Sequence, residues 1–117
     1  MSEGTKVRDF LHVYDAGRAF AALADNQIYG AINIASGVGV TLADIAVAAH
    51  EKIGAGDLLV AAHPPRTEEP PSLVADVRRL REEAGFKWRF TWLSALDACI
   101  EYWQKEVNNH SGKISQP

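Results

Sequence analysis

The sequence predicts an α/β fold, a small domain of about three short strands and four helices. Three observations point there. The stretch Arg8-Asp9-Phe10-Leu11-His12-Val13-Tyr14-Asp15 alternates apolar and polar residues and then runs straight into a helix start. Farther on, short apolar runs of strand length are separated by glycine, proline or polar breaks from longer runs with helical spacing. The whole chain of 117 residues, 47% hydrophobic, is the size of one domain with a modest core.

Phe10, Leu11 and Val13 read as the first strand. Asp15 is a good N-cap, and Ala16, Ala19, Phe20 and Leu23 recur behind it at helical intervals. A polar turn, Asp25-Asn26-Gln27, leads to a second strand over residues 28–34, with Ile32 and Ile34 on one face and Asn33 on the other. Ser36-Gly37-Val38-Gly39 ends it. Thr41 then caps a second helix with Asp44 three residues on, and Leu42, Ile45, Ala46, Ala49 and Ile53 form its buried stripe up to Gly54. The continuous apolar run at 58–62 has the look of a third strand covered on both faces. Residues 63–72, with four prolines around Arg66, can hold neither helix nor central strand and read as a long surface loop. Asp76 caps a short helix with Val77 and Leu80 inward and Arg78, Arg79 and Arg81 on a solvated face, closed by Gly85. Thr91 caps the last helix, where Leu93, Leu96, Ile100, Trp103 and Val107 keep helical spacing. The domain is expected over 1–107 and a disordered polar tail over 108–117.

Composition narrows the function. A net charge of -3 leaves no electrostatic footprint for nucleic acid or a membrane surface. The single cysteine, Cys99, excludes an internal disulfide and reads as a core residue on the apolar side of the last helix. No segment approaches the roughly 20 apolar residues of a membrane span, and the polar N-terminus does not resemble a signal peptide. The expected location is the cytoplasm. The histidines at 12, 50, 63 and 110 lie far apart, and the position four after His50 is Gly54, so no metal site is expected. Gly37-Val38-Gly39 lacks the spacing of a phosphate loop and reads as a turn. Nothing beyond chance supports a triad of His12, Asp15 and Ser36.

Five collinear segments carry a family resemblance over roughly residues 4–106. They are Arg8-Asp9-Phe10-Leu11-His12-Val13 with Asp15; Ile32-Asn33-Ile34-Ala35-Ser36-Gly37 with the helix start Thr41-Leu42-Ala43-Asp44-Ile45; Arg66-Thr67-Glu68-Glu69; Leu73-Val74-Ala75-Asp76 with Leu80 and Gly85-Phe86; and the closing helix from Thr91 to Trp103. Together they resemble the C-terminal, substrate-binding part of the extended short-chain dehydrogenases/reductases, the NAD-dependent nucleotide-sugar epimerases and dehydratases. Members of that family are much longer, with a Gly-rich dinucleotide fingerprint and a catalytic Tyr-x-x-x-Lys pair. Here Tyr14 is followed four residues on by Arg18, Tyr29 by Asn33 and Tyr102 by Glu106.

The resemblance implies four substrate-binding positions. Arg8 and Arg66 match the two arginines that grip a diphosphate, a role suited to charge-assisted, bidentate contacts. Phe10 matches the position beside the nucleotide base, with core packing as its other reading. Glu69 matches an acidic residue that accepts hydrogen bonds from a sugar hydroxyl. Glu68 stands where the family usually has glycine, adding a negative charge beside the phosphate position. Apart from the resemblance, Arg8 reads as solvated or paired with Asp9.

The fold expected is therefore the equivalent of the family's C-terminal lobe with the Rossmann domain absent. No catalytic residue, metal or cofactor is expected in this chain, NAD being the cofactor of the parent family. The first expectation for function is a protein inactive alone that keeps weak nucleotide-sugar diphosphate binding. The others are a homo-oligomerising or partner-binding module, with a homodimer as the expected form, and half of a split enzyme whose dinucleotide-binding partner is encoded separately.

Overall fold

A computed structural model describes residues 1–64 and 66–114. The elements are β1 (Val7–Asp9), α1 (Val13–Ala24), β2 (Gly39–Thr41), α2 (Leu42–Ile53), β3 (Ser72–Leu73), α3 (Arg78–Glu82) and α4 (Trp92–Ile114). Three strands and four helices match the expected class. The strands form one sheet in the order β2-β1-β3. β1 runs antiparallel to β2, with Arg8 opposite Val40, and parallel to β3, with Arg8 opposite Leu73.

The strands lie elsewhere than the apolar pattern predicts. β1 ends before Phe10, because the chain turns at Leu11 and His12 into α1. His12, not Asp15, is the N-cap, its Nδ1 accepting the Tyr14 N–H at 3.0 Å. Residues 28–34 form no strand. Their polar backbone is satisfied by side chains instead: the Arg79 guanidinium donates to the Tyr29 and Ala31 carbonyls, each at 2.8 Å, while Ile32 and Ile34 pack on the core. Arg79 is thus a tether, not part of a solvated face. Residues 58–62 form no strand either, since no second layer covers them. The Met1 ammonium donates to the Leu59 carbonyl at 2.8 Å and the Ala61 N–H to the Ser2 carbonyl at 3.1 Å, and Leu59 stays exposed.

The helix ends follow local chemistry. Thr41 Oγ1 accepts the Asp44 N–H at 3.1 Å, and Gly54 closes α2 with φ +71°, a left-handed conformation that glycine adopts without strain. Thr91 and Ser94 cap α4 reciprocally, each hydroxyl accepting the other's backbone N–H. Asp76 Oδ1 accepts the Arg78 N–H at 3.0 Å, although the assigned N-cap of α3 is Val77. α4 continues through 108 to Ile114, where a disordered tail is the sequence expectation, since polar side chains alone do not stop a helix. Residues 115–117 of that tail lie outside the described residues, as does Pro65 of the proline-rich loop.

The core is small. Ala19 of α1, Leu80 of α3, Val77 and Phe86 are buried together, with Ile32, Ile34, Ala35 and Trp88 around them. The α2 and α4 stripes are only partly covered: Ile53, Leu93, Trp103 and Val107 are exposed. Cys99 is exposed too, against the expectation of a core residue. It lines a shallow groove of about 530 Å³ with Ile53, Ile100, Trp103 and Val107, left open where the end of α2 meets α4. Accordingly the accessible surface, 8581 Å², exceeds the roughly 6,300 Å² of a compact monomer of this mass.

Candidate functional site

Lys6 and Arg8 are two residues apart at the start of an extended strand, so their side chains leave the same face of the sheet. Backbone bonds fix that stretch on both sides: Leu42 N–H to the Lys6 carbonyl at 3.0 Å, and Val7 N–H to the Pro71 carbonyl at 2.9 Å. The second of these, with the parallel pairing to β3, draws the end of the proline-rich loop alongside β1. Arg66 and Glu69 arrive with it.

Glu69 becomes the meeting point. Its Oε2 lies 3.0 Å from Lys6 Nζ and 3.5 Å from Arg8 Nη2, and its Oε1 lies 3.6 Å from Arg66 Nη1. Lys6 Nζ also donates to the Arg66 carbonyl at 2.7 Å, tying the loop to the strand. Hydrogen bonding and then charge from Lys6 hold the Glu69 carboxyl below its ordinary value against the opposing effect of burial, and the Arg66 and Arg8 charges add to the lowering. The strand cations are the sheltered ones: the side chains of Lys6 and Arg8 are 18% and 20% exposed, those of Glu69 and Arg66 43% and 86%.

Three of the four residues singled out from the sequence, Arg8, Arg66 and Glu69, therefore converge. Phe10 is not shown to join them; it is half-buried just past β1 and engages in none of the aromatic pairs found among the described residues. Lys6 is the residue that sequence reasoning missed, and the only available signal was its position two before Arg8.

Two carboxylates organise the surroundings. Asp9 Oδ1 accepts the Ser36 N–H at 2.8 Å and the Ser36 hydroxyl at 2.6 Å, and Oδ2 accepts the N–H groups of Gly37 at 2.8 Å and Ala75 at 3.3 Å. The Gly37 N–H is thus taken by an internal carboxylate and the Val38 N–H by the Ser36 hydroxyl, which leaves no phosphate loop there. Asp15 is fully buried and accepts from Arg18 at 2.8 Å and from the N–H groups of Arg89 and Phe90 at 3.2 and 3.0 Å. Burial by itself would raise its pKa, but the Phe90 and Arg89 N–H groups, with the hydrogen bond and charge of Arg18, outweigh it and hold the carboxyl below its ordinary value. His12 stacks on Phe90 with ring centroids 4.0 Å apart, and Ser36 is bound to Asp9, so His12, Asp15 and Ser36 make no triad. Among the described residues no three His, Cys, Asp or Glu side chains gather where they could hold a metal ion, and no helix is long and apolar enough to cross a membrane.

What this arrangement can do chemically is bind an anion: three cations on one face around a single carboxylate. No protein-family model matches the chain. The UDP-glucose 4-epimerase of Schizosaccharomyces pombe is 32% identical over 108 residues, a match covering 88% of this chain and 29% of the epimerase. The structure of MoeE5 with UDP-glucose and NAD superposes with a TM-score of 0.78 at 29% identity, over 91% of this chain and 36% of MoeE5. The dTDP-glucose 4,6-dehydratase of Bacillus anthracis, solved with NAD, shares the fold with a TM-score of 0.77 at 17% identity, over 90% of this chain and 34% of the dehydratase. The chain thus spans between 29% and 36% of the length of these relatives.

Proposed function

This chain is homologous to the C-terminal portion of the extended short-chain dehydrogenases/reductases, the NAD-dependent nucleotide-sugar epimerases and dehydratases, and we propose that it is a nucleotide-diphosphate-binding lobe without turnover of its own. The observation that carries this reading is the convergence of Arg8 and Arg66, 58 residues apart, on Glu69. Guanidinium forks match phosphate as well as carboxylate, and a diphosphate offers oxygens to both arginines at once. NAD is assigned here to a separate dinucleotide-binding domain, and the lobe's part in the chemistry is to hold and orient the diphosphate and the first sugar hydroxyls. Cytoplasm, a reducing compartment, suits the exposed thiol of Cys99.

Charge-assisted contacts contribute roughly 1.5 to 3 kcal/mol each. Against the cost of association, two arginines leave an affinity on the order of millimolar. Titrating UDP while following amide chemical shifts is expected to move residues around Arg8 and residues 66–69 together, and Arg66→Ala is expected to weaken binding about tenfold. Scattered shifts, or an Arg66→Ala variant that titrates like the parent, overturn the reading. Turnover of NAD with UDP-glucose that survives repurification overturns the absence of activity.

A second reading rests on the bared surface. Val13, Phe20 and Tyr29 are 80%, 66% and 82% exposed. Ile53, Leu93, Trp103 and Val107 of α2 and α4 are exposed as well, and the chain's total accessible surface exceeds that of a compact monomer by more than the roughly 800 Å² per partner of a standard interface. We infer that this apolar surface seeks a cover, a second copy of the chain or a dinucleotide-binding partner. Alone in solution the chain is expected to self-associate. Light scattering over a concentration series checks this, and a monodisperse monomer at tens of micromolar (roughly the range where standard interfaces form) excludes the homodimer.

A further inference from the structure

We propose that Lys6 is a third cation of the diphosphate site and that Glu69 is its resident counter-ion, displaced when a diphosphate binds. The inference rests on the diphosphate reading above and deepens it. Three positive side chains face one carboxylate, so these four groups together carry a net charge of plus two. A carboxylate is also too small to satisfy all three. Lys6 reaches Glu69 at 3.0 Å, whereas Arg8 and Arg66 stand off at 3.5 and 3.6 Å, beyond the span of a good charge-assisted hydrogen bond. A diphosphate has more anionic oxygens, spread over a wider span, and matches the residual charge.

Burial indicates which groups stay and which move. Arg8 is sheltered on a strand paired on both edges and Lys6 just before it, its carbonyl held by the Leu42 N–H, and they form a fixed floor. Glu69 is more exposed and sits on the loop, where its carboxylate can turn to water at little cost. Once displaced, it is a carboxylate next to the bound anion and available to a sugar or ribose hydroxyl. Hydroxyl recognition is thereby made to follow phosphate arrival.

Inorganic pyrophosphate and UDP together separate this from simple hydroxyl binding, because pyrophosphate has no sugar. Titrations at fixed ionic strength are compared for the parent chain, Glu69→Gln, Lys6→Met and Arg66→Ala, with Glu68→Gln as a control of equal charge change one residue away. Glu69→Gln is expected to bind pyrophosphate about tenfold more tightly and UDP with a smaller gain, and Lys6→Met to weaken both about tenfold. Glu68→Gln should stay within about twofold of the parent. The proposal falls if Glu69→Gln leaves pyrophosphate affinity unchanged or lower, if Glu68→Gln tightens it equally, or if Lys6→Met binds like the parent. Should Arg66→Ala weaken UDP binding while the Lys6 and Glu69 variants behave as the parent, the diphosphate site stands and this inference alone fails. If neither ligand binds the parent or Glu69→Gln, both readings fail.

Discussion

Asp15→Ala is expected to destabilise the fold by about 3 to 5 kcal/mol, a loss large enough to leave much of a small domain unfolded at room temperature. The carboxylate is fully buried and is the acceptor for the Arg89 and Phe90 N–H groups and for Arg18. Alanine would leave two part-buried backbone donors without that acceptor. Arg18 would be less affected, since it also donates to the Lys87 carbonyl at 3.1 Å and lies over the Phe86 ring. Asp15→Asn keeps the shape and one acceptor oxygen and should cost less, about 1 to 2 kcal/mol. Acidity gives an independent check. The carboxyl is held below its ordinary value in the fold, so its contribution is complete above the unfolded value near pH 4 (about 3.9 for a free side chain) and is lost as the pH falls through the lower folded one. Urea denaturation at neutral pH and in acid should show the gap between parent and Asp15→Asn narrowing on acidification. A gap that holds constant to the acid limit would mean that the charge on Asp15 contributes nothing.

Asp9→Ala should be the next most damaging change, at about 2 to 4 kcal/mol. One carboxylate there meets four donors from two distant segments, Ser36-Gly37 and Ala75. It pins both beside the strand that carries Lys6 and Arg8. The variant should therefore lose UDP affinity as well as stability. Ser36→Ala removes only the hydroxyl donor and should cost about 1 kcal/mol. Equilibrium unfolding measures the first effect and UDP titration under strongly native conditions the second. An Asp9→Ala chain as stable as the parent would show that the turn at 36–37 holds itself.

The helices were legible because their signals are local. Thr41 with Asp44, Gly54, and Thr91 each mark a cap within a few residues of a periodic run. Strands of three and two residues, Gly39–Thr41 and Ser72–Leu73, are too short for alternation to register. The alternation that does register, Ile32 and Ile34 about Asn33, belongs to a segment whose backbone is met by Arg79 in place of a ladder. Asp15 has the composition of a cap, and nothing local distinguishes a capping carboxylate from one buried against residues 89–90. Cys99 fails for a related reason: helical spacing marks a stripe as apolar without saying whether anything lies against it. Within the site, Arg8, Arg66 and Glu69 were found through family resemblance. Lys6 belongs to no motif and emerges only when the strand sets its direction.

The two aspartates also set an order of events in time. The donors they gather lie 27, 28 and 66 residues beyond Asp9, and 74 and 75 beyond Asp15. Contacts of such sequence separation require large loops to close before any reward is felt, which slows folding. On a ribosome, where synthesis runs from the N-terminus, β1 and α1 emerge before the elements that follow them and wait until residue 90 has left the exit tunnel before Asp15 can be satisfied. Asp15 is therefore satisfied only after β1 through α3 have been made, and during that interval the neighbouring core residue Ala19 lacks its partners Leu80 and Phe86.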